Sequence, residues 1–94
     1  MKLRCFTGPV STGYVFWCPG CEEAHTYDVP RWSFNGDMDK PTFTPSLLYP
    51  EKKVRCHLFV RAGKIEYCGD CGHALAGQTV DLPDLPAEWE GPNQ

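Results

Sequence analysis

Paired cysteines and their neighbouring histidines are the residues of this sequence with the clearest chemistry. Two Cys-x-x-Cys units, Cys18–Cys21 and Cys68–Cys71, each place two thiols on a short turn, where both can bind one metal ion. Pro and Gly lie between the first two cysteines and favour such a turn. His25 follows that unit, and a Cys56-His57 pair lies between the two units. This spacing is typical of a zinc site, so we expect one bound Zn²⁺.

A predicted hairpin limits which of these side chains can share the ion. A two-residue turn at 62–63 would pair strand 54–61 with strand 64–68. Because side chains alternate along a strand, Cys56 and His57 would then lie on opposite faces. Two ligand sets remain open: one is Cys18, Cys21, Cys56 and Cys71, and the other is Cys18, Cys21, Cys68 and Cys71 with His57 beside it.

A structural metal ion would help to stabilise the fold of so short a chain. The 94 residues are enough for one zinc-binding domain spanning 1–94. Small cores of this size are often stabilised by metal or by disulfides. The sequence has no apolar run long enough for a secretory signal or a membrane span. We therefore expect a cytoplasmic protein without membrane contact, whose cysteines bind metal. We expect the acidic tail, 84–94, to be either frayed or docked on the domain.

The charge distribution bears on a nucleic-acid function. The formal net charge is −3, which gives no overall attraction to nucleic acid. However, five of the nine basic residues lie within the predicted hairpin region, 52–64. A basic hairpin of this kind could contact phosphates, although a solvated strand face is the more common explanation.

Prolines and apolar patterning predict a small, mostly β fold. Nine prolines divide the chain into pieces too short for ordinary helices. Segment 40–46 contains two of them and is expected to be an irregular connector without strand pairing. The fold class is therefore mostly β, α+β at most, with a zinc-ribbon-like or rubredoxin-like metal site. Strands are predicted at 14–17, 25–29, 31–34, 54–61, 64–68 and 78–82.

Several motifs of the chain occur together in a recognisable set, of which the Leu-Ala-Gly-Gln-Thr-Val segment at 75–80 is the most specific. The set also includes the Cys-Pro-Gly-Cys unit with its following histidine, and the segments Trp32–Gly36, Lys40–Ser46, Cys56–Phe59 and Gly69–Pro83. With these motifs the sequence resembles a small, uncharacterised zinc-binding family that is carried mainly by tailed phages and prophages. The resemblance covers roughly residues 15 to 85.

The resemblance implies a preference between the two ligand sets. Members of that family share the positions of Cys56 and Cys71, whereas they have a leucine-like residue where this chain has Cys68. This favours Cys18, Cys21, Cys56 and Cys71 as ligands. The resemblance also covers three histidines that a four-cysteine site would not need: His25, His57 and His73. These histidines and Cys68 are alternative ligands.

Three functions follow as hypotheses. The favoured one is a phage- or prophage-type accessory protein in the host cytoplasm, which binds a protein partner and uses zinc to stabilise its fold. The second is a small zinc-dependent hydrolytic enzyme that uses His57, His73 and Asp70. The third is a nucleic-acid-binding zinc ribbon that uses the 52–64 hairpin.

Overall fold

The computed structural model describes residues 1–9, 11–50 and 54–89, and these form a mostly β domain. The one helical element within these ranges is a single 3₁₀ turn at Ala87–Trp89. No helix in the described ranges has the length and apolar character needed to cross a bilayer. The strands are β1 Arg4–Thr7, β2 Thr12–Cys18, β3 Glu23–Val29, β4 Ser33–Phe34, β5 Phe43–Tyr49, β6 Cys56–Arg61, β7 Lys64–Tyr67 and β8 Thr79–Asp81.

The strands form two antiparallel sheets. The first contains β1, β2 and β3, and the second contains β4 to β8, each in sequence order. Within each sheet, every strand pairs with its neighbour in the chain, as expected when short turns connect antiparallel strands. The prediction of a small, mostly β fold is confirmed.

The predicted hairpin is confirmed in detail. Strands β6 and β7 pair with Arg61 opposite Lys64 and Phe59 opposite Glu66. The two connecting residues, Ala62 and Gly63, have φ values of 48° and 79°. Positive φ at both central positions is characteristic of a type I′ turn, whose twist matches that of the flanking strands.

The prediction of an unpaired connector at 40–46 is wrong from Phe43 onward. Strand β5 begins at Phe43 and pairs with β6, with a register shift between Phe43 and Leu47. Pro45 lies within this irregular stretch, where the missing N–H does not break a regular ladder. A proline at a bulge therefore allows strand pairing where the sequence pattern predicts none.

Aromatic stacking joins the two sheets. Tyr27 of β3 stacks on Phe43 of β5 with ring centroids 4.1 Å apart, and Phe16 of β2 stacks on the other side of Tyr27 at 5.4 Å. All three side chains are buried. This core holds β3 close to β5 and so fixes the relative position of two strands that border the functional site.

The first part of the predicted tail docks on the domain. Leu85 is buried, and its N–H donates a hydrogen bond to the carbonyl oxygen of Met1 at 2.8 Å. Residues 90–94 of that prediction lie outside the described residues.

Candidate active site and metal centre

A serine, a histidine and an aspartate lie in a hydrogen-bonded row across the second sheet. The Oγ atom of Ser46, on β5, is 3.2 Å from Nε2 of His57, on β6. Nδ1 of the same imidazole is 3.2 Å from Oδ1 of Asp70, in the loop that follows β7. This order of nucleophile, base and orienting carboxylate is the arrangement used by serine hydrolases.

Strand register brings the first two of these residues together. His57 lies directly opposite Leu48 in the β5–β6 pairing, so their side chains share one face of the sheet. Ser46 is two residues before Leu48 and therefore lies near that face as well. The register shift just before Leu47 adjusts the local direction of β5, a role that bulges often have beside active sites.

The loop that carries Asp70 is fastened to β6 on both sides of the histidine. The N–H of Cys68 donates to the carbonyl oxygen of His57 at 2.9 Å, and the N–H of Gly72 donates to that of Arg55 at 2.8 Å. Between them, the Cys71 thiol accepts from the His57 N–H at 3.3 Å and donates to its carbonyl oxygen at 3.1 Å. These contacts fix the distance between Asp70 and the imidazole.

Arg55 holds the aspartate in its charged form. Its Nε donates to Oδ2 of Asp70 at 2.8 Å. This hydrogen bond, aided by the one from His57, keeps the pKa of the Asp70 carboxyl below its ordinary value. An ionised Asp70 accepts the proton of Nδ1, so Nε2 presents a lone pair to the hydroxyl of Ser46. The tautomer is therefore the one in which His57 can act as a general base.

A second cluster, which we call the metal centre, lies at the first Cys-x-x-Cys unit. Its four possible ligand atoms all lie within 4.8 Å of one another, and they come from Cys18, Cys21, His25 and Cys56. Three sulfur ligands and one imidazole nitrogen make a complete tetrahedral set for a metal such as zinc. Three of these residues belong to the favoured predicted set, and the fourth, His25, was an alternative.

Proton positions in the metal centre suit a metal ion. The Cys18 sulfur accepts from Cys56, and the adjacent His25 and the hydroxyl of Tyr67, 3.2 Å away, also stabilise the thiolate, so the pKa of Cys18 is lowered to about 3. Burial raises the pKa of Cys21 to about 11, and the neighbouring Cys18 thiolate raises that of Cys56 further. Without metal, one thiolate is thus surrounded by thiol protons that a metal ion would displace.

The tautomer of His25 makes it a suitable metal ligand. Its ring is 1% exposed, and Nδ1 is 3.1 Å from the carbonyl oxygen of Ala24. Because a carbonyl only accepts, Nδ1 carries the proton and Nε2 carries a lone pair. That Nε2 is buried and has no hydrogen-bond partner within the described residues. A buried lone pair beside three cysteines is the pattern of a histidine that binds metal.

His73 has the opposite tautomer. The N–H of Leu75 donates to its Nδ1 at 3.2 Å, so Nε2 carries the proton and faces the Cys56 sulfur at 3.6 Å. Its ring also packs on Gly20, where an added Cβ would lie 2.4 Å from a ring carbon. His73 therefore acts as a donor to a cysteine of the centre, and Gly20 is needed because a side chain there would displace the ring.

The remaining predicted ligands lie in other groups. Cys71 is grouped with Cys56 and His73, whereas Cys68 is grouped with His57 and Asp70. Burial raises the pKa of the Cys68 thiol, which disfavours the thiolate that a metal needs. The structure does not place Cys71 with the first Cys-x-x-Cys unit in the four-residue cluster, and its role as a ligand stays a prediction.

The fold and the two sites define a small β domain that combines a Ser-His-Asp row with a cluster able to hold a metal ion. A family model described as bacterial ubiquitination-like system serine protease (BubE) matches residues 5–68. Since the match covers more than half of the chain, the chain belongs to this family. The match includes the metal centre, Ser46 and His57, and it ends two residues before Asp70.

The other comparisons add no further relative. No curated protein and no solved structure matches the chain. The likeness to a phage-carried zinc-binding family is not tested by these findings and stays a prediction.

Sequence reasoning missed the serine. Ser46 lies in the stretch taken as a connector, so nothing placed it beside His57. The available signal was the extended, apolar run from Leu47 to Tyr49, which directly follows the serine and could have been interpreted as a strand that pairs with β6.

Proposed function

We propose that this protein is a serine peptidase with Ser46 as nucleophile, His57 as general base and Asp70 as the residue that orients the imidazole. The observation that carries the proposal is the pair of 3.2 Å contacts that places His57 between the other two side chains. The family description supports the same assignment, since it specifies a serine protease. The site shares no residue with the metal centre, and a Ser-His-Asp mechanism uses no metal-bound water.

The reaction follows from the positions of the protons. Nε2 of His57 takes the hydroxyl proton as Oγ of Ser46 bonds to the substrate carbonyl carbon. The same proton then passes to the leaving amine as the peptide C–N bond breaks, which leaves an ester on Ser46. A water molecule, deprotonated by His57, hydrolyses this ester and returns the proton to the serine. Asp70 remains ionised throughout and stabilises the imidazolium.

We propose that the metal centre holds zinc through Cys18, Cys21, His25 and Cys56, and that its role is structural. Four protein ligands leave no open position for water, which is the feature of a structural zinc site. Cys56 directly precedes the catalytic base in β6. Zinc would therefore fix the strand that positions His57, and its loss would loosen the active site together with the fold.

The substrate is proposed to be a protein of a bacterial ubiquitination-like system, in the cytoplasm. The reducing cytoplasm keeps cysteines available for metal. A nucleic-acid partner is less favoured, since all three described basic side chains of the 52–64 region are paired, the first being Arg55 with Asp70 at 2.8 Å. Arg61 contacts Glu66 at 2.8 Å and Lys64 contacts Asp81 at 2.5 Å. Lys52 and Lys53 of that prediction lie outside the described residues.

Labelling with a fluorophosphonate tests this proposal, because the reagent phosphonylates an activated serine without needing a known substrate. The sequence contains three serines, Ser11, Ser33 and Ser46, which provides matched controls. We expect Ser46→Ala and His57→Ala to abolish labelling, whereas Ser33→Ala and Ser11→Ala should be labelled like the native protein. Labelling that survives in a folded Ser46→Ala variant would contradict the proposal.

A further inference from the structure

The three catalytic groups lie in a row across the second sheet, in the direction from β7 to β5. Asp70 follows β7, His57 lies on β6 and Ser46 lies on β5. The next position in this direction is the strand position beyond β5. A carbonyl attacked by Ser46 must approach from the side of Oγ that does not face His57, and this side faces that position.

The strand position beyond β5 is only partly filled. Strand β4 pairs with β5 at Thr44 and Phe43 alone. From Ser46 to the end of β5, the described part of the chain supplies no strand on that side. A short edge therefore begins at the nucleophile itself.

Main-chain groups of this edge point outward. The N–H and C=O of His57 are bonded on the β7 side, to Cys71 and Cys68. His57 and Leu48 thus form a non-hydrogen-bonded pair, so the N–H and C=O of Leu48 are directed away from β6. The carbonyl of Ser46 points the same way, since it accepts from the indole N–H of Trp32 at 3.1 Å.

A groove of about 240 Å³ lies along this edge. Its floor is β5 around Leu48, and its far wall is formed by Thr26 and Asp28 of β3, the edge strand of the first sheet. Trp32 closes the end next to Ser46. At the other end the hydroxyl of Tyr49 bridges to the main chain of Thr26 at 3.2 Å. The groove is therefore bounded by two strand edges and two aromatic side chains.

We propose that this groove, which we call the strand groove, binds an extended segment of the protein substrate as an added β-strand beside Leu48. The inference rests on the proposed function, because Trp32 of the groove donates to the carbonyl oxygen of the catalytic serine and so places the groove next to it. Main-chain hydrogen bonds to the N–H and C=O of Leu48 hold the segment, as in other cases of strand addition. Trp32 already occupies the carbonyl of Ser46, so the paired segment ends there and its scissile carbonyl lies at Oγ.

Because the strand groove binds main-chain groups, it selects substrate segments that are extended rather than segments of a particular sequence. A segment that is helical or folded presents no free row of N–H and C=O groups, whereas an unstructured tail or linker does. The substrate class is accordingly a protein with an extended, accessible segment at the bond that is cleaved.

Two serine-directed reagents test the strand groove. One is a small alkyl fluorophosphonate, which needs only an activated serine. The other is a mixture of acyl-tripeptidyl diphenyl phosphonates with randomised side chains, which also offers a peptide main chain. The quantity measured is the ratio of the two labelling rates, so a general loss of reactivity cancels.

Leu48→Pro removes the outward N–H, and proline is accepted at strand edges where that N–H faces solvent. We expect the peptidyl-to-alkyl ratio to fall about fivefold, the effect of one hydrogen bond. Thr7→Pro, on edge strand β1 of the other sheet, is the matched control and should keep the native ratio. If Leu48→Pro does not fold, Thr26→Trp fills the groove from β3 and should lower the ratio as well, with Thr26→Ser as its control.

An unchanged ratio in folded Leu48→Pro or Thr26→Trp protein would overturn the strand groove. So would native protein that reacts with the alkyl reagent but with none of the peptidyl ones. Failure of the alkyl reagent to label native protein at all would instead contradict the proposed peptidase function, so the two failures are distinguishable.

Discussion

Replacing Asp70 by asparagine should reverse which ring nitrogen of His57 carries the proton. The side chain at this position faces two donors, Nε of Arg55 at 2.8 Å and Nδ1 of the imidazole at 3.2 Å. Arg55 can only donate, so an introduced amide would turn its oxygen towards Arg55 and its NH₂ towards the imidazole. Nδ1 must then accept, Nε2 carries the proton, and His57 cannot take the proton of Ser46.

The loss of activity that Asp70→Asn causes can be bounded from the structure. In a serine protease with a buried triad, the equivalent change lowers turnover about 10⁴-fold. Here the Asp70 side chain is 45% exposed, so water competes for the same positions and we expect a loss of about 10²- to 10³-fold. Arg55→Ala alone should cost at most about fivefold, because an ion pair this exposed is screened by water and contributes little.

The two changes should be non-additive. Without Arg55, the introduced amide is free to turn its oxygen towards Nδ1 and restore the productive tautomer. We therefore expect Arg55→Ala to increase the fluorophosphonate labelling rate of the Asp70→Asn protein about tenfold, although it lowers that of the native protein. Thermal unfolding and metal content of all four proteins serve as controls. A double variant that labels more slowly than Asp70→Asn would refute this assignment of proton positions.

Four further outcomes are expected. His25→Ala should lose the bound metal, whereas His73→Ala should retain it, as measured by metal analysis after gel filtration; equal retention would contradict the tautomer assignments. Metal affinity should fall about 100-fold for each unit of decreasing pH, because the pKa values of Cys21 and Cys56 lie above their ordinary range and both protons must be released; calorimetry in buffers of different ionisation enthalpy counts them. Chelation should lower both the melting temperature and the labelling of the serine, and added Zn²⁺ should restore them. Gly13→Ala should destabilise the fold by about 2 kcal/mol or more, since an added Cβ would lie in contact with the Tyr27 carbonyl; a normal urea midpoint would contradict this.

The hairpin could be predicted because its signals are local. The turn residues Ala62 and Gly63 set the pairing of β6 with β7, and this register correctly placed Cys56 and His57 on opposite faces. As a result, the sequence already placed Cys56, which belongs to the cluster that could hold a metal ion, on the face opposite its neighbour. The structure assigns these two positions to two different sites.

The serine that we propose as the nucleophile could not be predicted, because its position beside His57 depends on a non-local pairing. Ser46 meets His57 only through the register of β5 against β6, and Pro45 suggested that no such pairing existed. The sequence likewise could not decide whether His25 or Cys71 is the fourth residue of the metal centre. The choice depends on the hydrogen bond that His25 donates to the Ala24 carbonyl oxygen and on those between the Cys71 thiol and the His57 main chain, which no spacing rule describes.

The most direct test of the account is to identify the residue that carries the label. Native, metal-loaded protein is treated with the alkyl fluorophosphonate, and the adduct is located by tandem mass spectrometry. We expect one adduct per chain, on Ser46, and none after the protein is denatured before labelling. An adduct on Ser11 or Ser33, or the absence of any adduct on folded, metal-loaded protein, would contradict the assignment of Ser46 as the nucleophile.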